Sequence, residues 1–108
     1  MAKTIQQKIN SIEFDMLRLI RSVTDEAVYT YIYGAYHIHP KHLTIHIIVE
    51  TEAEEKRLRK NSALIEELRS ILAKHKYPYH ARKHVYIGFT AQETIDEEAY
   101  GNSYHYFK

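Results

Sequence analysis

The feature that most restricts what this chain can fold into is a change of hydrophobic period, from helical to alternating and back again. Between Thr4 and Val23 the apolar residues Ile5, Ile9, Ile12, Met16, Leu17, Leu19, Ile20 and Val23 make one wide stripe at helical spacing. Lys8, Ser11, Asp15, Arg18 and Ser22 occupy the opposite side, and Phe14 is the one large apolar residue among them. The next two segments, Val28 to His39 and His42 to Glu50, are rich in β-branched and aromatic residues, as strands are. A striped helix and an apolar strand face each need cover, and each can supply it to the other.

The segment His39-Pro40-Lys41-His42 reads as the turn between two strands. With Pro40 and Lys41 as its loop, Ile38 stands opposite Leu43, Tyr36 opposite Ile45, Gly34 opposite Ile47 and Ile32 opposite Val49, giving one apolar face. A two-residue loop with proline first is not a favoured hairpin turn, so a longer loop and a slipped register fit the same pattern. Thr51-Glu52-Ala53-Glu54 has the form of a capping box, opening a helix that runs to about Lys76. Leu64, Ile65, Leu68, Ile71 and Leu72 stripe its second half, whereas only Ala53 and Leu58 mark the first. A continuous helix over residues 52–76 would be about 37 Å long and would outreach a strand of about 30 Å. The first half therefore overhangs or breaks at Asn61.

Val85, Ile87 and Phe89 alternate with His84, Tyr86 and Gly88, which predicts a third strand over Lys83 to Thr90. Thr90-Ala91-Gln92-Glu93 looks like a second capping box, followed by a short helix ending near Tyr100-Gly101 and a last strand over Ser103 to Phe107. The expected architecture is a single α+β domain over residues 1–108. It is a two-layer sandwich with a mainly antiparallel sheet of three to four strands, two long helices on one face, and the order α-β-β-α-β-α-β. The order helix, hairpin, helix, strand resembles that of the ferredoxin-like metal-transporter tail domains and of the type II KH domains. That resemblance implies a ferredoxin-like-related fold; the KH clamp GxxG is absent, and the transporter ligands match no residues here.

Several classes of function have no residues to support them. Without cysteine there is no disulfide framework, thiolate nucleophile or cysteine-based metal site. Serines sit in no nucleophile elbow, and Gly34, Gly88 and Gly101 are too scattered for a phosphate loop. Gln92, Glu93, Asp96, Glu97 and Glu98 read as a solvated helix face whose early acids suit the helix dipole. A non-enzymatic protein without a cofactor is expected. Residues 1–4 lead straight into a polar helical pattern, and no apolar run is long enough for a membrane span, which points to the cytoplasm and away from a membrane partner.

Ten tyrosines and eight histidines in a chain without tryptophan direct attention to surfaces. If the helices cover the aliphatic sheet face, the other carries Tyr31, Tyr33, His37, His46, Ile48, His84 and Tyr86. An exposed face can have this composition, and so can the centre of a protein interface, rich in tyrosine and poor in charge. The favoured expectation is a protein partner, a second copy above all, held by Tyr31, Tyr33, His46, His84 and Tyr86 or by the Phe14 side. A second candidate is nucleic acid, RNA above all, along Lys74, Lys76, Tyr77, Tyr79, Arg82 and Lys83, where bases interleave with aromatics as phosphate contact and stacking require. The third is a metal at His37, His39, His42 and His46, which the short hairpin would bring to one end of the sheet.

Overall fold

The computed structural model describes residues 3–99, and within them the expected switches of period correspond to elements. Helix α1 spans Ile5–Arg21 and buries Ile9, Ile12, Met16 and Ile20, the centre of the stripe. Thr4 begins it: its hydroxyl accepts the Gln7 N–H at 3.2 Å while the Gln7 side chain accepts the Thr4 N–H at 2.9 Å. Strands β1 (Tyr29–Tyr33) and β2 (Thr44–Val49) follow, then α2 (Glu52–Arg59), α3 (Ser62–Lys74), a single turn α4 (Tyr79–Arg82), β3 (Tyr86–Ala91) and α5 (Gln92–Ala99). The long helix does break at Asn61, whose side-chain oxygen accepts the Leu64 N–H at 3.1 Å and starts α3. The last strand expected over 103–107 lies outside the described residues.

The sheet is mixed, which corrects the mainly antiparallel expectation. Its order is β1-β2-β3, with β1 antiparallel and β3 parallel to the central β2. Alternation reveals which residues share a face but not which way a strand runs. Direction is set here by the connection: parallel neighbours need a long crossover, and α2, α3 and α4 form it.

The register also differs from the short-hairpin pairing. Tyr29 lies opposite Ile48, Tyr31 opposite His46, Ile32 opposite Ile45 and Tyr33 opposite Thr44, a slip of four residues. Because four is even, every side chain keeps its face. The cause is a longer loop. Gly34 leaves β1 with φ +115°, and a Cβ there would stand 1.9 Å from the His42 carbonyl oxygen. Pro40 then opens a 3-10 turn, Pro40–His42, in which the His39 ring Nδ1 accepts the Lys41 N–H at 3.2 Å. Ile38, expected opposite Leu43, is instead 84% exposed.

The core joins α1, Leu58 of α2 and the stripe of α3 to Ile45, Ile47, Val49 and Phe89 on the inner sheet face. Ile48 and Ile95 are also fully buried but lie outside that cluster, Ile48 because it points to the outer face. Helix α5 follows β3 with no intervening loop, and Thr90 is a buried strand residue rather than the cap its motif suggested. The Glu93 N–H instead donates to the Glu50 carbonyl at 3.1 Å.

Candidate functional site

Strand parity places Tyr31, Tyr33, His46 and Tyr86 on the outer face; Tyr33 and Tyr86 flank Thr44, while His46 sits between Tyr31 and Gly88, and its ring reaches diagonally to both Tyr33 and Tyr86 to make a row of rings. Tyr33 stacks on His46 at 5.7 Å between centroids and 10° between planes, and the His46 ring lies 5.2 Å from that of Tyr86. Tyr31 meets Tyr33 edge to face at 5.7 Å. The Tyr33 hydroxyl and His46 Nε2 are 3.5 Å apart. Burial pushes the His46 imidazole below its ordinary pKa, so the centre of the row is neutral at neutral pH. At the rim, Tyr33 is 38% and Tyr86 52% exposed. The Tyr29 hydroxyl donates to the Gln92 side chain at 2.5 Å and ties this face to α5.

The other two residues expected on the partner surface are elsewhere. His84 lies in the turn before β3, its N–H bonded to the Ala81 carbonyl. Phe14, exposed, sits on the solvent side of α1 beside Asn10, Ser11, Asp15 and His75. Helix α1 covers the inner face, so Phe14 and the tyrosine row look out from opposite sides.

The four-residue slip also separates the candidate metal ligands. His39 and His42 remain neighbours in the 3-10 turn, with ring centroids 5.9 Å apart. His37 lies edge-on to Tyr36 at 4.4 Å, and His46 is in the stacked row on β2. Among the described residues no group of three or more histidine or acidic side chains is placed to hold a metal ion. The proximity of His37 to His46 belonged to the short-loop register and does not form.

The basic and aromatic segment divides too. Tyr77 is a core residue rather than a stacking platform: it is wholly buried, and its hydroxyl donates to the Pro40 carbonyl at 2.6 Å. Burial raises its phenol pKa to about 12. Lys74 is paired with Asp15 at 2.8 Å, and His75 reaches the same carboxylate at 2.7 Å. The Lys74 and His75 hydrogen bonds hold the Asp15 pKa below the usual carboxylate value. Tyr79 remains 76% exposed, and the Arg82 guanidinium carbon lies 5.6 Å from its ring centroid. Lys76 and Lys83 are exposed as well.

Two parts of the structure went unnoticed in the sequence. One is the packing of α4 on the Pro40–His42 turn, which sets Lys41 and His42 beside the Tyr79 segment. The other is a carboxylate network at the far end of the sheet. Glu26 Oε1 accepts the Glu50 and Thr51 N–H groups, both at 2.9 Å, and its Oε2 accepts the Thr51 hydroxyl at 2.6 Å. The Thr51 hydroxyl in turn accepts the Glu54 N–H at the start of α2, and Glu54 binds Arg57 and the Thr24 hydroxyl. Arg57 foremost, with Thr24, lowers the Glu54 pKa to about 2. These acids are joined by no signal that spacing alone could carry.

Over residues 3–99, fold and surface together define a small α+β domain with a three-stranded mixed sheet. Among the described residues no helix is long and apolar enough to cross a membrane. Compared with known proteins, the chain matches no family model, no curated sequence and no solved structure.

Proposed function

We propose that the chain is a small, non-enzymatic, cytoplasmic binding domain that acts through protein–protein contact, pairing with a second copy by its outer sheet face. The observation that carries this reading is the uncharged row of Tyr33, His46 and Tyr86, continuous across three strands and exposed at its ends. Interface centres are enriched in tyrosine and depleted in charge, and a neutral imidazole suits a surface that becomes dry on contact. Two-fold pairing lays a patch against itself, so one such row supplies both halves of the interface.

Sedimentation or light scattering across a concentration series tests the pairing. The native chain is expected to run as a dimer, and Tyr86→Ala is expected to raise the dissociation constant about ten-fold, as a central aromatic contact does. Tyr33→Ala acts in the same direction. A monomer at every concentration ends the reading.

A further inference from the structure

The three longest stretches of this chain without an acidic residue are 1–12, 27–49 and 68–92. The fold gathers parts of all three at one end. The Tyr77 hydroxyl joins the Pro40 carbonyl, Lys8 Nζ donates to the Lys76 carbonyl at 3.2 Å, and the Tyr36 hydroxyl donates to the Gln6 side chain at 3.0 Å. The Tyr86 N–H completes the set on the Leu43 carbonyl at 3.2 Å. Two acids beside these stretches have partners of their own: Asp15 holds Lys74 and His75, and Glu13 accepts the Thr30 hydroxyl at 2.5 Å. A net charge of +1 conceals this arrangement, because the opposite end carries the carboxylates of Glu26, Glu50, Glu52 and Glu93.

We infer that the end built by the Pro40–His42 turn and α4 is a binding site for single-stranded nucleic acid, with Tyr79 as the stacking ring and Lys41, Arg82 and Lys83 as phosphate contacts. Tyr79 is 76% exposed, an open ring face on a rigid support, because α4 is held from beneath by buried Ala81 and Tyr77. Arg82 is oriented before any ligand arrives: its Nε donates to the Tyr77 carbonyl at 2.6 Å, and its carbonyl accepts from Arg69 at 2.8 Å. An accessible ring among cations, with no carboxylate in the surrounding segments, offers a single strand both stacking and backbone neutralisation. A duplex hides its base faces and is read in its grooves by a longer element than a four-residue helix. An acidic protein would use the cations and leave the ring idle. The site is independent of the sheet-face pairing, since Tyr79 and Lys83 lie outside the β strands.

Fluorescence anisotropy of a labelled oligouridine of about 12 nucleotides tests it. Binding at low salt is expected to weaken with a log–log salt slope of about −2 if three phosphates are neutralised. Tyr79→Ala is expected to weaken it at least about five-fold by removing one stacked base. Lys41→Glu combined with Lys83→Glu is expected to abolish it. Both sites of substitution are exposed, and a thermal melt confirms that the variants fold. No binding at low salt, or binding indifferent to both Tyr79→Ala and the charge reversals, overturns the inference. Competition by polyglutamate as effective as that by unlabelled oligouridine also overturns it, in favour of an acidic protein ligand.

Discussion

The two ends of the sheet use charge in opposite ways. At the end where β2 runs into α2, carboxylates are consumed internally: Glu26 gathers three donors from residues 50 and 51, Glu52 accepts the Thr94 hydroxyl at 2.9 Å, and Glu54 holds Arg57 and Thr24. At the other end most polar links run from side chain to carbonyl, as from Tyr77 to Pro40, Lys8 to Lys76 and Arg82 to Tyr77. Carbonyl acceptors leave cations unneutralised, so positive charge remains on display. Acids that satisfy backbone and hydroxyl donors serve the fold, and cations that meet no carboxylate among the described residues are free to serve a ligand.

That contrast can be broken by substitution. The largest effect is expected from Tyr77→Ala, which empties the support under the basic end and costs about 3–5 kcal/mol, read by urea denaturation. Glu26→Ala removes the hub of the acidic end and costs about 2 kcal/mol in the same assay, since hydrogen bonds to a charged group are the strong ones. Acid titration separates the ends further. The Glu54 pKa is depressed in the folded chain, from 4.5 to about 2, so its stabilisation is complete above pH 4.5 and is lost as pH falls toward 2. Glu54→Gln is expected to flatten that limb of the stability–pH curve, and an unchanged limb contradicts the network. Tyr77→Phe keeps the ring and loses only its bond to Pro40, at a cost of about 1 kcal/mol. A larger cost would mean that the hydroxyl, more than the packing, holds the turn.

The faces of the sheet were legible in the sequence because alternation survives an even slip: Ile32 shares a face with Ile45 and Tyr31 with His46 in either register. The Asn61 break was legible from the thin stripe before it. Loop length was not, since it depends on Gly34 adopting positive φ against the His42 carbonyl, a contact with no periodic trace. Strand direction was lost for a related reason, as Val85, Ile87 and Phe89 alternate identically in parallel or antiparallel pairing. Of the candidate surfaces, Tyr33, His46 and Tyr86 share a face by parity alone, while their ring contacts depend on the observed register. Tyr77 was misread because a tyrosine beside proline and lysines looks solvated until its hydroxyl finds a carbonyl in a loop far away in sequence.

The parallel pairing of β2 with β3 also governs the order in which this chain can acquire its structure. Ile45 and Ile47 must wait for Ile87 and Phe89, which emerge only after residues 50–85 have been made. Until then one edge of an aliphatic strand is bare, a template for wrong partners during synthesis or refolding. Such distant pairing places the ring closure late and makes it slow, so the helical crossover that shields the inner face also sets the pace at which the sheet can be completed.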